Sequence, residues 1–130
     1  MGHELYLNEN GTKYAVLVSY GYGAGWSSWS ERFLAYDKRV VEFWLAHKND
    51  KQWMREVERY GSGSRQESPA HKEAREFFTN VIGLDRCPYM GGFADIELEW
   101  VNFGVAWRID EYDDAESIVY QYMEEWTLFT

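Results

Sequence analysis

The sequence predicts one α+β domain, in which strands from both ends of the chain form an antiparallel sheet and two to three helices come from its middle. Three observations predict this class. A continuous run of β-branched and aromatic residues lies near the start of the chain, and alternation of apolar and polar residues with a period of two lies near its end. Between them, apolar residues follow helical spacing. The length of 130 residues suits one hydrophobic core, so we expect residues 1–130 to form a single domain.

The first predicted element is a β-hairpin. Residues 4–7 and 13–20 flank Asn10-Gly11, a pair that favours a tight turn between antiparallel strands. The second of these segments is almost continuous in β-branched and aromatic residues, so we expect it to be covered on both faces. The strand pattern ends at Gly21, where a glycine-rich segment begins.

Three helices are predicted in the middle of the chain. Asp37 and Asp50 are candidate N-caps of the first two, because their carboxylates can accept from the first free backbone N–H groups. Ser68, followed by proline, predicts the start of the third helix, and Gly83 predicts its end. Residues 61–68 break all periodicity, which indicates a loop.

A second hairpin is predicted near the end of the chain, because residues 95–100 and 105–110 both alternate between apolar and polar. A last strand is expected over residues 117–122, before an aromatic tail at residues 126–129. A turn at residues 103–104 gives one register that suits both faces of the hairpin. This register places Trp100 opposite Trp107, Leu98 opposite Ile109, and Glu99 opposite Arg108.

Charge and cysteine content exclude several classes of protein. Thirteen Lys and Arg against 22 Asp and Glu give a net charge of -9, which argues against binding to DNA, RNA or anionic lipid. The single cysteine, Cys87, excludes an internal disulfide and favours a reducing compartment, so we expect a cytoplasmic protein. No apolar run approaches the roughly 18 residues of a membrane span.

The sequence shows no pattern typical of a catalytic or metal site. The three histidines are dispersed, no histidine base for Cys87 is evident, and acidic residues that alternate along a strand usually form its solvated face. We therefore expect no enzyme activity, no metal and no cofactor. A small hydrolase that uses Asp110 or Glu111 as a base remains an alternative.

The glycine-rich segment has two interpretations. Glycines at 21, 23 and 25 permit a tight turn or a subunit contact, but they also let backbone amides approach an anion beside rings that stack on a base. The dinucleotide-binding fingerprint is not met, because Trp26 stands where the third glycine is required. Arg108 likewise suits either a phosphate or an ion pair with Glu99 on the neighbouring strand.

Two stretches, KYAVLVSYGYGAGWSSW and ADIELEWVNFGVAWRIDEYDDAESI, resemble a group of small phage-encoded proteins that we associate with the anti-Thoeris sponges. The resemblance implies an α+β homo-oligomer that binds a cyclic ADP-ribose isomer without cleaving it, and so blocks host anti-phage signalling. It implies a pocket formed partly between subunits, where rings stack on the purine and arginines hold the pyrophosphate. The ligand-binding residues that it assigns by position are Gly23, Ala24, Gly25, Trp26, Arg108 and Asp110.

The main alternative is an acidic inhibitor that mimics DNA and blocks a restriction or CRISPR nuclease. Its support is the net charge together with two acidic clusters, at residues 95–99 and 110–114, that resemble a row of phosphates. Under this hypothesis Arg108 would be out of place, because it adds positive charge to the acidic face.

Overall fold

The computed structural model describes residues 3–21, 26–59, 67–112 and 115–121. This part of the chain is α+β, as predicted. Its helices are α1 (Lys38–His47), α2 (Lys51–Arg59) and α3 (Pro69–Glu76). Its strands are β1 (Lys13–Ser19), β2 (Ile96–Asn102), β3 (Ala106–Tyr112) and β4 (Ala115–Gln121).

The four strands form two antiparallel sheets of two strands each, β1–β2 and β3–β4. Leu17 lies opposite Leu98 in the first sheet, and Ile109 lies opposite Ile118 in the second. The predicted first strand is reduced to isolated bridges, in which Leu7 pairs with Tyr14 and Leu5 with Asp37.

The predicted pairing of β2 with β3 is wrong. Each of these strands pairs with a different neighbour, so Trp100 lies opposite Ala15 and Trp107 opposite Tyr120. Likewise, Glu99 is not the partner of Arg108, which lies opposite Val119. Alternation determines which side chains of a strand are buried, but it does not determine which strand lies beside it.

Strand β1 is covered on both faces, as predicted. Ala15 and Leu17 pack into a core formed with the helices, whereas Val16 and Val18 pack into a second core against the β3–β4 sheet. All four side chains are fully buried. The β1–β2 sheet is therefore the middle layer between the helices and the β3–β4 sheet.

The predicted helix starts are confirmed by hydrogen bonds from backbone N–H groups to the capping side chains. The Asp37 side chain accepts from the N–H of Arg39 at 2.8 Å, and the Asp50 side chain accepts from the N–H of Trp53 at 3.0 Å. Ser68 Oγ accepts from the N–H of His71 at 3.0 Å. Each bond satisfies a donor that has no partner within its helix.

The helical conformation continues beyond Glu76, the last residue of α3. It continues as a π-helical turn over Phe77–Val81, and the chain leaves this turn at Gly83, which has a φ of 95°. Most of the predicted loop at residues 61–68 lies outside the described residues. No helix in the described ranges is long and apolar enough to cross a bilayer.

Candidate functional site

The two stretches that carry the resemblance meet at one buried carboxylate. Glu116 on β4 is 1 % exposed and accepts hydrogen bonds from the backbone N–H groups of Ser19 at 3.0 Å and Trp26 at 2.8 Å. It also accepts from the N–H and the hydroxyl of Ser28, at 3.0 and 2.7 Å. Glu116 therefore holds the chain on both sides of the glycine-rich segment, of which Gly23, Ala24 and Gly25 lie outside the described residues.

Trp26, the predicted stacking residue, belongs to the core. Its side chain is fully buried and its ring packs against Phe93, with 5.8 Å between ring centroids. Its indole Nε1 is buried and has no hydrogen-bond partner among the described residues. A base therefore cannot stack on the Trp26 ring of this chain unless the core opens.

Arg108 and Asp110 lie on the outer face of the β3–β4 sheet, because Trp107 and Ile109 pack inward. Arg108 Nε donates to Asp110 Oδ1 at 2.7 Å, and its guanidinium makes a second, longer bond to Oδ2 at 3.3 Å. The hydrogen bond with Asp110 raises the pKa of Arg108. The Arg108 side chain remains 69 % exposed in spite of this ion pair.

The structure does not bring Trp26 and Arg108 to one surface. Glu116 extends from the inner face of β4 to the Trp26 backbone, whereas Arg108 lies on the outer face of the same sheet. Nor does Arg108 form the ion pair with Glu99 that the predicted hairpin offered. The Glu99 carboxylate accepts instead from the Tyr20 hydroxyl at 2.7 Å, and burial together with this bond raises the pKa of Tyr20.

Tyr112 is a candidate site residue that the sequence analysis did not single out. It shares the outer face with Arg108 and Asp110, and it is 84 % exposed. The period-two spacing of these residues in β3 was the signal that could have identified it. The six outward-facing positions, which we call the β3 outer face, are Arg108, Asp110 and Tyr112 with their partners Val119, Ser117 and Ala115.

A second cluster surrounds Cys87, for which the sequence showed no histidine base. The structure places Cys87 Sγ 4.0 Å from His71 Nε2, and the Nδ1 of this ring 2.7 Å from Glu67 Oε2. Arg75 donates to the same carboxylate through Nε at 2.7 Å and through a terminal nitrogen at 2.9 Å. This pairing with Arg75 lowers the pKa of Glu67 to about 2, whereas burial raises the pKa of the Cys87 thiol to about 11.

Cys87 also lines a cleft of about 470 Å³, next to the segment that follows the π-helical turn. No three His, Cys, Asp or Glu side chains within the described ranges are arranged to hold a metal ion. The cleft residues are Ser30, Glu31, Leu84, Asp85, Arg86, Cys87, Pro88 and Tyr89.

Comparison with protein-family models, with curated proteins and with solved structures finds no match to this chain.

Proposed function

We propose that this protein binds and sequesters a cyclic ADP-ribose-type nucleotide without cleaving it, and thereby blocks anti-phage signalling in the cytoplasm of an infected host. The observation that carries the proposal is the placement of Arg108, Asp110 and Tyr112 on the exposed face of one strand. A guanidinium recognises phosphate oxygens through a planar pair of donors, and an exposed ring provides a surface on which a base stacks.

The spacing of these groups suits a ligand of this size. Arg108 and Tyr112 are four residues apart in an extended strand, which separates their backbones by roughly 13 Å. This distance accommodates a diphosphate at one end and a purine at the other. Ser117 and Ala115 are the strand partners beside the path between them, so small side chains leave room for the ligand.

Asp110 has two roles in this proposal. Its carboxylate orients the Arg108 guanidinium through the bond at 2.7 Å, and it can accept hydrogen bonds from ribose hydroxyls. A diphosphate that binds the Arg108 guanidinium competes with the Asp110 carboxylate. The affinity for the ligand therefore depends on whether its contacts with Arg108 outweigh the loss of this exposed ion pair.

Tyr112 takes the stacking role that the resemblance assigns to Trp26, because the Trp26 ring is fully buried. No other element of the described part of the chain packs over Tyr112 on the β3 outer face. This supports the proposal that a second copy of the chain completes the pocket. Gly23, Ala24 and Gly25 remain proposed ligand contacts through their position in the resembling motif.

The DNA-mimic alternative has less support from the arrangement of the acidic residues. Within the two acidic clusters, the Glu99 carboxylate accepts from the Tyr20 hydroxyl, and the Asp110 carboxylate is paired with Arg108. A mimic of a phosphate row needs free carboxylates side by side on the surface.

The test is a thermal-shift titration of the purified protein with cyclic ADP-ribose isomers, followed by mass spectrometry of the nucleotide released on heating. Sequestration predicts a rise in melting temperature that grows with ligand concentration, and recovery of the unchanged ligand. Recovery of a cleaved product would contradict binding without turnover. The absence of any shift across the isomers would overturn the nucleotide proposal.

Matched variants then locate the site. Arg108→Ala is expected to abolish the thermal shift, whereas Arg55→Ala removes the same charge from the exposed surface of α2 and is expected to retain it. Tyr112→Ala is expected to weaken binding by about 1–3 kcal/mol, and Tyr112→Phe, which keeps the ring, by much less. Equal affinity of Tyr112→Ala and the wild type would exclude the β3 outer face.

A further inference from the structure

Cys87, His71 and Glu67 form a row of three chemically distinct groups that the proposed function does not use. His71 and Glu67 lie at the start of α3, and Cys87 lies on the segment beyond the π-helical turn. The distances are 4.0 Å from Sγ to Nε2 and 2.7 Å from Nδ1 to Oε2. A thiol, an imidazole and an orienting carboxylate in this order are the arrangement that activates a nucleophile in many unrelated proteins.

The protonation states follow from the contacts. Glu67 is bound at both oxygens by Arg75, and its pKa of about 2 keeps it ionised at neutral pH. An ionised carboxylate only accepts hydrogen bonds, so His71 Nδ1 is the donor to Glu67, and Nε2 is the ring nitrogen that lies beside the thiol.

The cleft supplies the space in which such a thiol can react. Cys87 lines the cleft of about 470 Å³, a volume in the range of small-molecule sites. His71 is only 8 % exposed and is not among the residues that line the cleft. Burial raises the pKa of Cys87 to about 11, so the thiol is protonated at neutral pH and depends on a base for its reactivity.

We propose that Cys87 is a nucleophilic thiol with His71 as its base, and that the cleft admits a small activated ester whose acyl group is transferred to Cys87. The Cys87 sulfur forms a bond with the carbonyl carbon, and the bond between that carbon and the leaving oxygen breaks. The thiol proton passes to His71 Nε2. The leaving alkoxide takes up a proton from solvent, and the imidazolium then releases its proton to solvent. The products are a thioester on Cys87 and an alcohol.

In this step His71 moves the proton, and Glu67 is a positioning residue that acts through the imidazole. The site lies on a different part of the chain from the β3 outer face, and its substrate is an ester rather than a nucleotide. The two proposals therefore fail independently of each other.

The experiment uses p-nitrophenyl acetate as the probe at pH 7, with release of p-nitrophenolate followed by absorbance and the acetylated residue identified by peptide mass spectrometry. The wild type is expected to acquire one acetyl group on Cys87, faster than a synthetic peptide of residues 82–92 that contains the same cysteine without His71. A rate at or below that of the peptide would overturn the proposal, as would acetylation confined to other residues.

Variants separate base catalysis from simple exposure of the thiol. His71→Gln is expected to slow acetylation of Cys87 about 100-fold, the usual contribution of a general base. Because His71 is buried, the melting curve of the His71→Gln variant is recorded to check that it folds. If His71→Gln does not fold, Glu67→Gln provides the test, with an expected loss of about tenfold and an altered pH profile. Wild-type rates and pH profiles in the folded variant would show that the row is structural.

Discussion

The Glu116 carboxylate lies 2.8 Å from the backbone nitrogen of Trp26 and accepts its N–H, although the two residues are 90 positions apart in the chain. The same carboxylate binds the N–H of Ser19, on the other side of the glycine-rich segment. One side chain of β4 therefore connects the early and late stretches of the sequence.

Glu116→Ala is expected to destabilise the protein by about 3 kcal/mol or more, because it leaves several buried backbone donors without an acceptor. Glu116→Gln is expected to lose less stability, since the amide oxygen can still occupy the position of Oε2, which accepts three of the hydrogen bonds. Urea denaturation measures both. Glu97→Ala, at an exposed position of β2, is the control, and equal midpoints for the two alanine variants would contradict this role of Glu116.

Gly21→Ala is expected to destabilise the protein, because a Cβ at this position would overlap the side chain of Asp95. Overpacking of this kind costs about 1–3 kcal/mol. Asp95→Gly removes the obstructing side chain, so the double variant is expected to lose less stability than the sum of the two single variants. A double-mutant cycle from thermal or urea unfolding measures this coupling, and strictly additive effects would refute the contact.

Trp26→Ala is expected to lower the free energy of unfolding by about 3–5 kcal/mol, because it removes a fully buried ring that packs on Phe93. Loss of nucleotide binding in this variant would therefore report unfolding rather than a lost stacking contact. Trp26→Phe retains most of the ring. The binding of this variant, measured under conditions where it is folded, is expected to match that of the wild type.

Asp37 makes stability depend on pH. Burial on its own would raise the pKa of Asp37, but hydrogen bonds from Arg39 and His3 outweigh that effect and lower it below its ordinary value of 3.8. The stabilisation is thus fully present above the ordinary pKa and is lost as the pH falls through the lowered value. Urea denaturation of the wild type and Asp37→Asn is expected to show a difference that is constant near neutral pH and shrinks in acid. A constant difference down to pH 2 would contradict this assignment.

The local elements of the fold were predictable because their signals lie within a few residues of each other. A capping side chain acts on N–H groups two or three positions further along the chain, and Asp37, Asp50 and Ser68 were all predicted correctly on this basis. Burial of β1 on both faces was likewise readable from its continuous apolar run.

The partners of the late strands were not predictable in the same way. The alternation of β2 and β3 is compatible with either pairing, and the choice depends on β1, which lies far away in sequence and offers β2 an apolar strand. The site changed with this choice. The predicted pairing placed Arg108 opposite Glu99. In the structure Arg108 binds Asp110 on the outer face of the β3–β4 sheet, which Tyr112 shares.

The fold class, the helix starts and the inward and outward faces of the strands could be predicted from local sequence, since they follow from backbone hydrogen bonding and from the periods of helix and strand. Three relationships appear only in the folded chain: Trp26 is buried, Glu116 binds the backbone of Ser19 and Trp26, and His71 lies beside Cys87. These three relationships join residues that no local pattern connects. They arise when the layers pack together and buried polar groups must find partners across the chain.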